Sequence, residues 1–391
     1  MIALKTLLGV VVIAIVVLVN TIVVMWCERK WLGHMQSRQG PLRTGWHGAL
    51  QPFADAIKLL GKEDIIPANV DRPLFLVAPI IAFIPSLLTY AAMPWIESFV
   101  GASLDVGIFM VFAITAIFPV SMLFAGWSSF NKYSLIGGFR AAAQQVSYEV
   151  PMAVAIAGVV MLAESMRISD IVNAQHGLYY IILQPCAAIL FFIAMLAEIN
   201  RTPFDMPESE SELVGGINTE YSSMRFALFF VAEYMNVFTW SLIFSLLFLG
   251  GWNGPLFGGW NGPLGMVWLL LKTYAVTFMV FWVRATLPRV RIDQLTALGW
   301  RILLPFALAS VFITAIGVFT NNFVLIALEV IATAALVWLI ARIGERAGEA
   351  RRSEASARRC SDGSAIIPGP GSGLGSGSSP GSNASHTEVG T

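Results

Sequence analysis

The uncharged stretch TLLGVVVIAIVVLVNTIVVMWC, at Thr6–Cys27, decides the class of fold. It holds 22 residues, and a helix needs about 20 apolar residues to cross the hydrocarbon core of a bilayer. A cleavable signal peptide has a shorter apolar region and a small-residue cleavage site. This stretch instead runs directly into Glu28, Arg29 and Lys30. It therefore predicts a membrane-spanning helix rather than a signal peptide.

The composition of the whole chain supports the same class. Of the 391 residues, 57% are hydrophobic and 12% are charged, and the mean hydropathy is +0.72. A soluble domain has about 25% charged residues. Further nearly uncharged runs lie at residues 74–96, 106–127, 142–163, 178–197, 225–249, 266–283, 302–319 and 323–343. We therefore expect an all-α polytopic membrane protein of about nine spans, embedded in a lipid bilayer.

The distribution of basic residues predicts the orientation of these spans. Of the 24 Lys and Arg residues, all but Lys5, Arg167 and Lys272 fall in the loops after spans 1, 3, 5 and 7 or in the C-terminal tail. Cytoplasmic loops carry the excess of Lys and Arg. We therefore expect the N-terminus outside and the C-terminus in the cytoplasm. An eight-span count would move the basic tail outside, so the charges favour a ninth span.

Two segments outside the spans have recognisable patterns. In the first loop, Leu50–Lys62 places apolar residues at helical spacing and puts Asp55 and Lys58 on the opposite face. This predicts an amphipathic helix, either in the membrane interface or as an ordinary half-buried loop helix. The chain from residue 346 to 391 is rich in Gly, Ser and Pro, which predicts a disordered tail. We thus expect a transmembrane domain over 1–345 and a cytoplasmic tail over 346–391.

Several classes of function are disfavoured by the sequence. The three cysteines, at 27, 186 and 360, contain no C-x-x-C pair, so they do not predict an iron–sulfur cluster or a zinc site. The four histidines show no metal-ligand spacing. Basic and acidic residues balance at 24 each, and no phosphate-binding glycine loop is present. We expect no metal, no nucleic acid and no redox centre on this chain.

A second stretch, EINRTPFDMPESESELVGGINTEY at Glu198–Tyr221, concentrates acidic side chains between two apolar runs. Its six carboxylates are Glu198, Asp205, Glu208, Glu210, Glu212 and Glu220, and its single base is Arg201. Such a loop is commonly just solvated, but Pro203, Pro207 and the pair Gly215-Gly216 predict a bent, close-packed backbone. Because Glu208 and Glu212 are four residues apart, we expect them to share one face of a helix.

Three more carboxylates, Glu149, Glu233 and Glu329, fall in or at the edge of predicted spans. Ionisable groups at membrane depth are costly and commonly mark a proton or ion path. The alternative for each is a hydrogen-bonded residue that packs helices together. With the acidic stretch, Glu149 and Glu233 predict a string of proton sites that leads from a cytoplasmic loop into the spans. A proton-coupled transporter and one subunit of a larger redox pump both fit this pattern.

Five motifs separate these two classes. They are ERKWLGHMQSRQGPLRTGWHGALQPFADAIKLLGKED at Glu28–Asp64, SSFNKYSLIGGFRAAAQQVSYE at Ser128–Glu149, AEINRTPFDMPESESELVGGINTEY at Ala197–Tyr221, AEYMN at Ala232–Asn236 and RATLPRVRIDQLTALGWRILLP at Arg284–Pro305. In this order the motifs closely resemble the H-subunit family of bacterial NADH:quinone oxidoreductase, respiratory complex I, whose mitochondrial counterpart is NADH dehydrogenase subunit 1. The chain departs from the family pattern in its ninth span and tail, and at Ile292 and Thr296.

The resemblance implies a function, a substrate and partners. The chain would form the membrane side of a quinone chamber, with quinone as substrate and no redox centre of its own. Peripheral-arm subunits would supply the flavin, the iron–sulfur clusters and the quinone head-group ligands. Small membrane subunits and antiporter-like subunits would complete the complex in the bacterial plasma (inner) membrane. The resemblance does not separate ubiquinone from menaquinone.

The resemblance also assigns residues. Positions at or near the quinone entrance and chamber are matched by Glu28, Arg29, Arg38, Asp55 and Lys58. An acidic funnel toward the pump subunits is matched by Glu149, Asp205, Glu208, Glu210, Glu212, Glu220 and Glu233. The loop Arg284–Arg301 would dock the peripheral arm by pairing its arginines with acidic groups of a partner. Two alternatives remain at this point: the corresponding subunit of a membrane-bound hydrogenase complex, and a free-standing proton-coupled transporter.

Overall fold

The structure of the chain is a computed structural model that describes residues 2–96, 99–100, 104–175, 177–254, 263–320 and 322–342. It contains two compact units, Met1–Val337 and Trp338–Thr391. Within the second unit, the described residues are 338–342, which are helical. The predicted tail over 346–391 and its boundary lie outside the described residues, so this division stays a prediction.

Most of the described chain is helical, which confirms the predicted all-α membrane class. The helices are α1 (Ile2–Met35), α2 (Gln51–Leu60), α3 (Arg72–Ala92), α4 (Gly107–Thr115), α5 (Ile117–Ser128), α6 (Lys132–Ala163), α7 (Ile168–Ala174), α8 (Tyr180–Leu183), α9 (Pro185–Glu198), α10 (Glu210–Leu213), α11 (Ser223–Phe248), α12 (Pro263–Thr286), α13 (Ile292–Leu298), α14 (Leu304–Phe319) and α15 (Asn322–Arg342). Short 3₁₀ turns lie at Trp46–Gly48 and Gly216–Thr219, and a π-helical turn at Gly299–Leu303 joins α13 to α14. After α3, β1 (Pro94–Ile96) and β2 (Phe99–Val100) pair antiparallel.

Within the described residues, eight helices are long and apolar enough to cross a membrane. They correspond to eight of the nine predicted spans. The exception is the run predicted at 178–197, which is divided into the four-residue α8 and the 14-residue α9. The break falls at Gln184, before Pro185, because proline lacks the backbone N–H that a continuing helix would use. The count of nine spans therefore stays a prediction.

Helices α6 and α11 position the polar loops at their ends. In α11 every side chain from Ala232 to Phe248 is buried, and the helix packs against α3 and α12. Helix α6 packs against α5, α9 and α14. A Cβ atom on Gly126 would lie only 2.7 Å from the Ser134 carbonyl oxygen. This glycine therefore allows α5 and α6 to approach closely where their connecting loop meets the acidic stretch.

The predicted amphipathic helix is present as α2, in nearly the predicted range. Its apolar residues Phe53, Ile57 and Leu60 are 47%, 69% and 63% exposed, while Asp55 faces α1 through Arg29. An apolar face left uncovered within the chain suits a helix that lies against lipid. Its position in the membrane interface stays a prediction.

Candidate functional site

Two adjoining cavities lie where α1, α2, α11 and the acidic stretch meet. The first, here called the α2 cavity, has a volume of about 700 Å³ and is lined by Met25, Arg29, Pro52, Asp55, Ala56, Lys58, Leu59, Lys62, Asn218, Tyr221, Ser222, Ser223, Phe226, Ala227, Phe230 and Val231. The second, the acidic cavity, measures about 630 Å³ and is lined by Asp205, Glu208, Gly215, Asn218, Phe226, Phe230, Arg284 and Arg289. Because Asn218, Phe226 and Phe230 line both, the two cavities share a wall.

An ion pair crosses the α2 cavity. Arg29 at the end of α1 donates to Asp55 of α2 at 2.5 Å, and Gln51 donates to the other carboxylate oxygen at 3.2 Å. The Arg29 and Asp55 side chains are 34% and 30% exposed. Lys58 lines the same cavity one helical turn further along α2. Three of the predicted entrance residues are therefore brought together.

The far wall of the α2 cavity contains a buried phenol. Tyr221 stacks on Phe75 with ring centroids 4.2 Å apart. Burial raises the pKa of Tyr221 to about 12, so its hydroxyl remains protonated at neutral pH. The hydroxyl group lies 3.4 Å from the Phe75 carbonyl oxygen. The cavity thus combines charged groups near α1 and α2 with an apolar, aromatic wall formed by α11 and its preceding turn.

Arginines from the loop after α12 enter the acidic cavity. Arg289 donates to Asp205 at 2.7 Å and to the Ser209 hydroxyl at 2.8 Å. Arg284 pairs with Glu28, which is 2% exposed. Both arginines were expected to pair with acidic groups of a partner subunit. Each of them has an acidic partner within the chain, and the pairing with a partner subunit stays a prediction.

A buried ion pair joins the acidic stretch to α11. Arg201 and Glu233 are 5% and 4% exposed, with 3.7 Å between nitrogen and oxygen. The guanidinium group of Arg201 also lies 4.7 Å from the centre of the Tyr234 ring. Burial opposes the charged form of Arg201, but Tyr234 and the neighbouring carboxylates outweigh it and raise the pKa above its ordinary value. Arg201 is therefore a fixed positive charge against which acidic groups are arranged.

The acidic stretch is folded back on itself by a glycine. Gly216 has φ +53°, and a Cβ atom there would fall 1.7 Å from the Pro207 carbonyl oxygen. This closure brings Asn218 next to Glu208, to which it donates a hydrogen bond. The bent, close-packed loop predicted from its prolines and glycines is therefore present.

The expectation that Glu208 and Glu212 share a helix face is wrong. Helix α10 begins at Glu210, so Glu208 lies outside it. Glu208 lines the acidic cavity, whereas the Glu212 side chain is 48% exposed and pairs with Arg140 of α6. The side chain of Glu210 lies outside the described residues. Loop closure at Gly216, rather than helical periodicity, decides where these carboxylates lie.

The remaining predicted residues are distributed around these cavities. Glu149 is half-buried and lines a separate apolar cavity of about 570 Å³ between α4 and α6. Glu220 accepts a hydrogen bond of 2.7 Å from Asn131. Arg38 is exposed, donates to Gln36 at 2.6 Å, and lines neither the α2 cavity nor the acidic cavity.

Sequence reasoning did not single out Gln144 and Asn218, and it counted Glu198 among the acidic residues of the stretch without assigning it to the funnel. Glu198 is buried at the end of α9, and Gln144 of α6 donates to the Ala197 carbonyl at 2.6 Å and to Asn200 at 3.0 Å. Asn218 lines both cavities. The signal for Gln144 was available, since an amide within a predicted apolar helix requires a buried partner.

Comparison with known proteins identifies the family. The family model described as NADH dehydrogenase matches residues 8–315. The H subunit of NADH-quinone oxidoreductase from Dehalococcoides mccartyi is 44% identical over 336 residues, covering 85% of this chain and 93% of that relative. An H subunit of the same enzyme from Geobacter sulfurreducens is 45% identical, with 79% and 93% coverage. The H subunit from Bacillus cytotoxicus is 49% identical, with 74% and 86% coverage. The chain therefore belongs to the NADH dehydrogenase family, together with the H subunits of NADH-quinone oxidoreductase.

Proposed function

We propose that this chain is the membrane subunit of a proton-translocating NADH:quinone oxidoreductase and forms the membrane side of its quinone chamber. The observation that carries the proposal is the pair of adjoining cavities with Asn218, Phe226 and Phe230 in their common wall. A quinone has a polar head and an apolar tail, and these cavities offer polar and aromatic surfaces side by side. Quinone would enter through the α2 cavity, past Arg29 and Asp55.

The acidic cavity supplies the proton side of this proposal. Reduction of a quinone takes up two electrons and two protons, so the charge in the chamber changes at every turnover. Asp205, Glu208 and Glu233 act electrostatically on the buried Arg201. Closely spaced groups in a low-dielectric environment titrate together. A charge change at the quinone would therefore be relayed to these carboxylates as proton movement, and onward toward Glu149 and the pump subunits.

Electrons would come from partner subunits. The relatives are named as subunits of NADH-quinone oxidoreductase. Flavin and iron–sulfur clusters would be held by the peripheral arm, which would face the end of α1 near Arg29 and the loops that contain Asp205 and Arg291. The small membrane subunits and antiporter-like subunits would contact the spans. The charge distribution supports a location in the bacterial inner membrane, with these loops on the cytoplasmic side.

The proposal is tested by purifying the chain, with an affinity tag, from mildly solubilised membranes. We expect flavin and iron–sulfur subunits to co-purify and the preparation to reduce a long-tailed quinone with NADH. A preparation that instead oxidised hydrogen would favour the hydrogenase alternative. A chain that purifies alone and transports protons in liposomes without a redox partner would contradict the proposal.

A further inference from the structure

A buried carboxyl group lines none of the cavities described above. Glu329 belongs to α15, which begins beyond the residues matched by the family model. Much of α15 is uncovered, with Phe323, Val330 and Ile331 exposed by 86%, 51% and 65%. Glu329 itself is 0% exposed. An ionisable side chain directed inward from a largely uncovered helix requires a specific reason, because its burial is costly.

Ser310 of α14 contacts Glu329 directly, and a second polar contact lies one helical turn further along α14. The Ser310 hydroxyl of α14 donates to its Oε1 atom at 2.8 Å. One turn further along α14, Thr314 accepts a hydrogen bond of 2.7 Å from Gln184, the residue at the break between α8 and α9. Gly158 of α6 makes room for this contact, since a Cβ atom there would lie 3.2 Å from Gln184 Nε2. The group thus joins α14, α15 and the broken helix.

The second carboxylate oxygen of Glu329 indicates what this group could bind. Glu329 Oε2 and Gln184 Oε1 are buried and have no hydrogen-bond partner within the described part of the chain. The described residues also include no cation within ion-pair distance of Glu329. A buried charge without a partner is far more costly than a neutral hydrogen-bonded group. A proton on Oε2 would remove the charge of Glu329. It would also turn this oxygen, which has no hydrogen-bond partner as an acceptor, into a hydrogen-bond donor.

The surroundings of Glu329 also suit the charged form in part. The backbone amide of Cys186, in the first turn of α9, faces the carboxylate, and negative charge is stabilised at a helix N-terminus. Cys186 is also the titratable side chain of α9 that faces it. Helix α14 contributes none, because LPFALASVFITAIGVF lacks ionisable residues. Burial therefore stabilises the neutral form of Glu329, and the N-terminus of α9 stabilises its anion. A carboxyl group in such surroundings can bind and release a proton.

We propose that Glu329, with Ser310, Thr314 and Gln184, forms a proton-binding site in the membrane interior. It is separate from the acidic cavity, because α9 places 14 residues, or about 20 Å of helix, between the Gln184 break and Glu198. No polar side chain lies along α9 between Cys186 and Glu198. The site therefore does not continue the proposed acidic path through this helix.

Infrared spectroscopy of the assembled complex at neutral pH, without NADH, tests the proposal independently of quinone chemistry. We expect Glu329→Gln to remove the C=O band of one protonated carboxylic acid per complex. Glu164→Gln, which changes an exposed carboxylate at the end of α6, is the matched control and should leave this band unchanged. An acid band that persists in Glu329→Gln would overturn the proposal. Loss of the wild-type band on addition of sodium chloride would also overturn it, because the site would then bind a metal cation.

A second variant protects the test against failed assembly of Glu329→Gln. Ser310→Ala removes the donor to Oε1, so the same C=O band should remain and shift to higher frequency. An unshifted band in this variant would show that the acid detected is not Glu329 and would overturn the assignment. Failure of quinone reduction in the wild type would contradict the proposed function without affecting this result.

Discussion

Replacing one partner of the Arg29–Asp55 ion pair tests whether the pair serves quinone reduction or only the stability of the fold. The two side chains are 34% and 30% exposed, and an ion pair of this exposure contributes about 0–1 kcal/mol to stability. Arg29→Ala should therefore change the folded fraction less than about fivefold. If the pair borders the quinone path, the same change should lower kcat/KM for a long-tailed quinone by about tenfold, or ~1.4 kcal/mol of transition-state stabilisation. Asp55→Asn should have a smaller effect, since an amide oxygen can still accept from Arg29.

The assay compares two activities in the same membranes. NADH oxidation with a long-tailed quinone should fall. Electron transfer from NADH to a soluble acceptor should survive, since under the proposed function the flavin and clusters would belong to partner subunits. Asp64→Asn provides the matched control. It weakens the pair that Asp64 forms with Arg225 at 2.8 Å, and Asp64 lines neither cavity. Wild-type quinone reduction in both Arg29→Ala and Asp55→Asn would refute the reasoning, as would parallel loss of both activities in an assembled complex.

Three further predictions concern the acidic stretch and the tail. Glu208→Gln should reduce proton translocation per electron pair more than Glu212→Gln, because Glu208 lines the acidic cavity whereas Glu212 is exposed and paired with Arg140. Equal numbers of protons translocated per electron pair by the two variants in proteoliposomes would contradict this prediction. Gly216→Ala should destabilise the loop by at least about 1 kcal/mol, since its positive φ is unfavourable for alanine. We expect faster proteolysis of the loop in this variant, and an unchanged cleavage rate would refute the prediction. Truncation after Ser353 should leave assembly and quinone reduction intact, because a Gly/Ser/Pro segment buries little apolar surface; a truncated chain that inserts without assembling would show that the tail docks a partner.

The spans were predictable because each depends on local composition. Eight long helices overlap the uncharged runs, and three of them extend about two to three turns beyond a predicted end, at Met35, Lys132 and Ile292. The break at Gln184 was not predicted, although Pro185 was its signal, because hydropathy averaged over a window does not register one missing backbone donor. The helix α2 was predicted from periodicity almost residue by residue.

The site was less predictable because it depends on contacts between distant segments. Arg284 and Glu28 are 256 residues apart, so no local sequence pattern indicates that they pair. Periodicity grouped Glu208 with Glu212, but the turn at Gly216 directs them to different surroundings. Residue type thus indicated candidate groups for the site, whereas loop closure determined which of them meet.

The central claim is that quinone occupies the two adjoining cavities. The most direct measurement is photolabelling of the assembled complex with a long-tailed quinone that carries a photoreactive group, followed by peptide mapping. We expect label on α2 and on the segment from Asn218 to Val231, and we expect excess native quinone to suppress it. Label that avoids both segments in an active complex, or that native quinone leaves unchanged, would contradict the account.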